Sequence, residues 1–168
     1  NEYDDIIMAA RVDTASMGIA FSEVAAATNE LFLGMRQFTL ASEEARTELV
    51  AFTATMENLG VSAATSADFL NKATTSLGLS ADEAMAAERE LAASAVALGI
   101  APSEMMEGFN AAQGQLAKWG EQSIEIFKGV AAASKATGIE MNELLGITEQ
   151  FDTFEGAAEA AGRLNAML

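Results

Sequence analysis

Residues 77–84 read Leu-Gly-Leu-Ser-Ala-Asp-Glu-Ala, and this short stretch decides the fold class. Gly78 is the residue type that ends a helix, because glycine tolerates the left-handed backbone conformation that follows a last turn. Ser80 and Glu83 have the spacing of a capping box, in which two side chains satisfy free backbone N–H groups at a helix start. The stretch therefore predicts one helix that ends and a second helix that begins within eight residues.

Junctions of this kind recur along the chain. Glycines followed by helix-start signals lie 18, 21, 21 and 18 residues apart, at Gly60, Gly78, Gly99, Gly120 and Gly138. Pro102 suits the first position of a helix, where its missing N–H has no partner to lose. Asp152 and Glu155 form a further capping box. Residues 60–168 are therefore predicted to form glycine-punctuated helical hairpins, short antiparallel helices in a bundle or an irregular helical array.

A different pattern organises residues 1–59, where apolar positions alternate spacings of four and three. Small and polar residues occupy some positions, and the remainder form a predicted helix-packing seam of Tyr3, Ile7, Met17, Phe21, Val24, Leu31, Met35, Phe38, Leu49, Phe52, Met56 and Leu59. The spacing is typical of one helix face packed against another helix. It predicts a long N-terminal helix with a coiled-coil-like seam, or a helix pair with a break near residues 39–42. The seam packs either on the later hairpins or on a second copy, and the sequence leaves both alternatives open.

The composition supports an all-α chain. Hydrophobic residues make up 51% of it, much of this alanine, and the chain contains one proline. Alanine is the best helix former because it loses almost no side-chain entropy. The later segments carry their own apolar stripes, one of which ends at Trp119, predicted to be a buried anchor. The nine Met residues fall at helical spacing and are interpreted as core filling.

Charge and missing residue types exclude several functions. The formal net charge is −16, from 25 acidic and 9 basic residues, so we expect no direct binding to nucleic-acid phosphates or to anionic membrane surfaces. The chain has no Cys and no His, which excludes thiolate nucleophiles, Ser-His-Asp triads and most zinc sites. The longest uncharged apolar stretch, residues 91–102, is too short to span a bilayer.

Adjacent carboxylates are the remaining candidates for chemistry. The pairs are Glu43 with Glu44, Asp82 with Glu83, and Glu88 with Glu90. All are interpreted as solvated acids or as acids that complement a helix dipole, because nothing around them suggests a cleft. No calcium-loop, phosphate-loop or dinucleotide fingerprint occurs. The sequence thus predicts a structural or scaffolding chain, not an enzyme, with no catalytic residues, metal or cofactor.

Residues 135–144, which read Lys-Ala-Thr-Gly-Ile-Glu-Met-Asn-Glu-Leu, resemble the helix junctions of bacteriophage tail tape measure proteins. Residues 59–61, residues 77–84, and residues 150–154 with the Ala157, Ala158 and Leu164 that follow are similar. The likeness covers the chain from about Leu49 onward. The Asn1 start and the Leu168 end suggest a fragment of a longer chain.

This resemblance implies a virion structural protein that sets tail length, fills the tail tube and assists DNA delivery. It implies location in the phage tail and, during assembly, in the host cytoplasm. The expected partners are further copies of the chain, the tube protein, distal tail or baseplate proteins, assembly chaperones and the host envelope. Two alternatives remain: a helical docking, signalling or secretion-system coiled coil without a virion role, and a membrane-active helical protein.

Overall fold

The computed structural model describes residues 2–15 and 18–148, which contain α-helices, two short 3₁₀ helices and no strand. The all-α prediction is therefore confirmed for this part of the chain. The capping box of Asp152 and Glu155 lies outside the described residues, as do Met17 and the side chain of Tyr3. The α-helices are α1 (Glu2–Ala15), α2 (Phe21–Gly34), α3 (Glu43–Asn58), α4 (Ala63–Ser76), α5 (Ala81–Leu98), α6 (Pro102–Leu116), α7 (Ser123–Thr137) and α8 (Met141–Thr148).

The start of α5 has the predicted capping box. The Ser80 hydroxyl accepts from the Glu83 N–H at 3.3 Å, and a Glu83 carboxylate oxygen accepts from the Ser80 N–H at 2.8 Å. The bond from the Ser80 backbone lowers the pKa of Glu83. The Ser42 and Ser62 hydroxyls cap α3 and α4 by accepting from one backbone N–H each, without a reciprocal Glu, and Pro102 opens α6 as predicted. These contacts satisfy N–H groups that otherwise lack a partner in the helix.

The five predicted junction glycines all adopt positive φ, between 55° and 87°. Gly99 ends α5 and Gly138 ends α7, each in the left-handed conformation that other residues adopt at a cost. Gly120 lies within the 3₁₀ helix Ala117–Gln122, at the kink between α6 and α7. Gly18 also has a positive φ, of 74°, and it marks a junction that the sequence analysis did not predict.

The prediction of one long helix or a helix pair over residues 1–59 is wrong, because this region contains three α-helices. Helix α1 ends at Ala15 and α2 begins at Phe21, with Gly18 between them. The backbone of Ala20 is extended, and its N–H donates to the Glu23 side chain at 2.7 Å. The predicted break near residues 39–42 is present. There the 3₁₀ helix Phe38–Leu40 is followed by the Ser42 cap, and Arg46 donates to the Ala41 carbonyl at 2.9 Å.

The helices pack with their sequence neighbours and next-but-one neighbours. Helix α2 packs on α1, α3 and α4, and α4 packs on α3, α5 and α6. Helix α5 packs on α6, α7 and, less extensively, α3, while α8 closes against α6 and α7. The described residues thus form a helical array in which α4 packs on α2, α3, α5 and α6.

One buried apolar cluster runs through this array from Ile6 to Leu145. Three rings mark its centre, with Phe109 of α6 between Phe69 and Phe127 at centroid distances of 5.1 and 5.2 Å. Such tilted and edge-on pairs add to the stabilisation that burial provides. The cluster continues across the predicted domain boundary between Leu59 and Gly60, so the described parts of 1–59 and 60–168 share a core.

Candidate functional site

The structure places most of the predicted seam inside the chain's own core. Phe21 and Leu59 are each 51% exposed. The buried members are Ile7, Val24, Leu31, Met35, Phe38, Leu49, Phe52 and Met56. Their burial is against other helices of the same chain, so intramolecular packing accounts for the four-three spacing of these residues. Trp119, the predicted anchor, is buried at the α6–α7 kink with Lys118 Nζ 4.3 Å from its ring centroid.

A surface groove lies between α3 and α5, and we call it the α3–α5 groove. It encloses a volume of about 640 Å³ and is lined by Glu48, Ala51, Phe52, Thr55, Met56, Leu59, Asp82, Met85 and Arg89. Helix α4 separates α3 from α5 in sequence and packs on both. The groove therefore exists because α4 holds the two helices side by side with few direct contacts between them.

Apolar side chains form the floor of this groove. Phe52 and Met56 reach it from α3, and Met85 reaches it from α5. All three are largely buried, whereas Leu59 at the end of α3 is half exposed. The guanidinium carbon of Arg89 lies 5.0 Å from the centroid of the Phe52 ring, a cation–π geometry that covers one side of the floor.

Acidic side chains form the rim. Glu48 on α3 and Asp82 in the first turn of α5 face each other across the groove, and Arg89 is the one basic residue among the described residues that line it. An adjoining depression on α3 shares Glu48 and adds Glu43 and Glu44. Exposed acids of one sign produce a local negative potential, which attracts cations at a range set by salt screening.

The groove has an apolar extension at the start of α3. Met35, Gln37, Leu40, Ala41, Leu49 and Ala81 line a second depression of about 320 Å³ there. Leu49 and Ala81 are the chain neighbours of Glu48 and Asp82, so the second depression lies near the groove. Leu40, one of its lining residues, is 85% exposed.

Glu88 corrects the interpretation of the paired carboxylates as solvated acids. It is fully buried, and neither carboxyl oxygen has a hydrogen-bond partner within the described residues. Burial raises the pKa of Glu88 to about 8, and the nearby Ser66 hydroxyl, although it is outside hydrogen-bonding geometry, opposes part of that rise. At neutral pH this carboxyl is therefore mainly protonated, as expected for an acid taken out of water. The Ser66 hydroxyl and Thr53 Oγ1 are likewise buried without a hydrogen-bond partner in that part of the chain.

The other members of those pairs are exposed, as predicted. Glu90 accepts from Lys128 Nζ at 2.6 Å, and this bond between α5 and α7 is the main cause that raises the pKa of Lys128. Glu43, Glu44, Asp82 and Glu83 lie at helix starts. A signal for Glu88 was present in the sequence, because Ala84, Glu88, Leu91 and Ala95 follow the spacing of a buried helix face.

Glu88 is enclosed in the core and does not line the α3–α5 groove. In the described ranges, no three His, Cys, Asp or Glu residues are grouped so as to hold a metal ion, and no helix is long and apolar enough to cross a bilayer. Comparisons with protein-family models, with curated proteins and with solved structures find no match to this chain.

Proposed function

We propose that this chain is a segment of a bacteriophage tail tape measure protein, a structural virion component that sets tail length, fills the tail tube and assists DNA delivery. The observation that carries the proposal is the likeness of its glycine junctions to those of that family. The strongest case is residues 135–144, which span the end of α7, the left-handed Gly138 and the start of α8.

The charge of the chain agrees with a place beside DNA in a narrow conduit. With a net charge of −16, the protein repels phosphate groups and does not adhere to passing DNA. A basic lining would bind the same DNA and slow its exit.

The short helices also fit a protein that must leave the tube. Most helices here have 14 to 18 residues, and each is joined to the next by a tight junction. Such units open locally at their junctions at a free energy below that of global unfolding. We expect amide hydrogen exchange to show several independent opening units, and exchange of all helices in one cooperative step would contradict this part of the proposal.

The partners follow from the same proposal. They are further copies of the chain, the tube protein, the distal tail or baseplate proteins and, at infection, the host envelope. The location is the phage tail in the virion and the host cytoplasm during assembly. No catalytic residue, cofactor or metal is assigned.

Quantitative mass spectrometry of purified particles tests the proposal. Tails are separated from heads, with a major capsid protein and a host cytosolic protein as markers of cross-contamination. We expect peptides of this chain in the tail fraction at a few copies per particle. Their absence from every particle fraction would rule out the virion role.

A second candidate is a helical docking protein without a virion role, of the signalling or secretion-system type. The α3–α5 groove favours it, because it combines an apolar floor with a charged rim on the surface of the fold. The particle experiment separates the two candidates. A docking protein remains in the cell fraction and is recovered there with a stoichiometric partner.

A further inference from the structure

We propose that the α3–α5 groove binds an amphipathic helix of a partner protein, with apolar side chains on the floor and Lys or Arg side chains against the rim. This inference does not depend on the virion role, because it follows from the groove alone. The groove combines two independent features: a floor of apolar side chains, of which Leu59 is half exposed and the others are largely buried, and an acidic rim.

The floor has the chemistry of a helix-binding surface. Met56 and Met85, which line the floor together with Phe52, are flexible, polarizable side chains that adapt to an incoming apolar group. Leu59 at one end and Leu40 at the other are exposed, so the apolar surface continues beyond the deepest part. Helix-in-groove recognition uses surfaces of this kind, which receive the side chains of one helix face.

The length of the floor sets the length of the occupant. The α3 residues that line it run from Glu48 to Leu59, about 17 Å at 1.5 Å per helical residue. A helix of about three turns spans this distance and presents apolar residues at positions i, i+4 and i+7. The extension near Leu40 accommodates about one further turn.

The rim selects the charge of the occupant. Glu48 and Asp82 border the floor, and Glu43 and Glu44 add negative charge at one end. Arg89 is already placed over the Phe52 ring. A basic helix gains electrostatic attraction on approach and at the rim, whereas an acidic helix of equal apolarity is repelled.

Charge repulsion also excludes other segments of this protein, and further copies of it, as occupants of the groove. Residues 149–168 have apolar positions at helical spacing, but they contain four acidic residues and one basic residue. A second copy of the chain carries the net charge of −16 and is repelled more strongly. A separate basic partner is therefore the occupant that the groove accepts.

Fluorescence anisotropy with labelled peptides tests the proposal on the whole chain. The probes are a Leu/Lys amphipathic peptide of about four turns and a Leu/Glu peptide with the same apolar face. We expect saturable binding of the basic peptide alone, and its affinity should fall as salt concentration rises. Binding of neither peptide, or of the acidic peptide equally well, would overturn the proposal.

Matched variants then locate the binding surface. In Glu48→Lys/Asp82→Lys the rim charge is reversed, and Glu107→Lys/Glu121→Lys makes the same net-charge change at exposed residues that do not line the groove. We expect the rim variant to bind the basic peptide at least about tenfold more weakly and the control variant to bind within about twofold of wild type. Equal weakening in both would show non-specific attraction to an acidic protein and overturn the proposal.

A floor variant gives an independent readout where the rim variant folds poorly. Leu59→Asp changes a half-exposed residue at the end of α3, so it leaves the buried core intact. Circular dichroism checks the fold of each variant before binding is measured. We expect Leu59→Asp to weaken binding of the basic peptide about tenfold despite the added acid, because it removes an apolar side chain from the floor of the groove. An unchanged or stronger affinity would overturn the assignment of the peptide to the groove.

Discussion

Replacing Glu88 by Gln tests whether the carboxyl in the core is protonated in the folded protein. Glu88 is fully buried on α5, and burial raises its pKa to about 8. Gln has nearly the same size and remains polar, but it cannot ionise. The comparison of the two proteins therefore isolates the ionisation of this one side chain from the repulsion among the many other acidic residues.

The direction and size of the effect follow from proton linkage. In the unfolded chain the pKa of Glu88 has its ordinary value of 4.5, so the proton is lost above that pH, whereas the folded protein retains the proton up to about pH 8. Unfolding therefore releases a proton between pH 4.5 and pH 8, and the free energy of unfolding falls as the pH rises through this range. The stability that the protonated Glu88 carboxyl contributes is complete below pH 4.5 and is lost as the pH rises through 8. Between about pH 5 and about pH 8.5, this loss in the free energy of unfolding is about 4 kcal/mol.

Urea unfolding at a series of pH values, followed by circular dichroism, measures this loss. We expect the free energy of unfolding of Glu88→Gln to fall by about 4 kcal/mol less than that of wild type over the same range. Glu107→Gln, which changes an exposed carboxylate on α6, should retain the wild-type pH dependence. Parallel curves for wild type and Glu88→Gln would refute the conclusion that the folded protein holds Glu88 protonated.

Three further substitutions, two of them paired with a control variant, test the packing and the junctions by the same unfolding assay. Phe109→Ala should lower stability by about 3–5 kcal/mol because it empties the centre of the aromatic row, whereas Leu33→Ala, at an exposed position, should change it by less than about 0.5 kcal/mol. Ser80→Ala should cost about 1 kcal/mol through loss of the cap on α5. Gly138→Ala should destabilise by about 1–2 kcal/mol at its φ of 72°, while Gly114→Ala, in helical backbone with open space around it, should stabilise by about 0.8 kcal/mol. Similar effects of Phe109→Ala and Leu33→Ala, or of Gly138→Ala and Gly114→Ala, would contradict the roles assigned to Phe109 and Gly138.

The helix junctions were predictable because caps and terminal glycines act through contacts a few residues apart. Ser80 and Glu83 bond to each other's backbone whatever the remaining chain does. The division of residues 1–59 was not predictable in this way. The apolar spacing of four and three continues through Gly18, because residues on both sides of the junction return to one core. A periodic pattern reports which residues are buried, and it does so equally for one helix and for two.

The candidate site also depends on packing that local patterns in the sequence do not describe. Glu88, Arg89 and Glu90 form a charged run, and only the rotation of α5 about its axis decides which of them faces inward. Burial of Ala84 and Leu91 fixes that rotation and encloses Glu88, while Arg89 reaches the groove and Glu90 reaches Lys128. The α3–α5 groove depends on two helices brought together by a third, so no local pattern in the sequence describes it.

Under the proposed tape measure role, the three-helix arrangement would restrict how this part of the chain contributes to tail length. A single helix over residues 1–59 would extend about 89 Å, whereas α3, with 16 residues, extends about 24 Å. Helical conformation at Gly18 costs only about 1 kcal/mol, so the larger cost is exposure of buried residues such as Leu31, Leu49 and Phe38. A partner that offers an equal apolar surface offsets this cost, and without one the array is the stable state. We therefore expect the isolated protein to retain the dimensions of the array in small-angle X-ray scattering. Rod-like scattering from the isolated chain would show that α1, α2 and α3 extend without a partner.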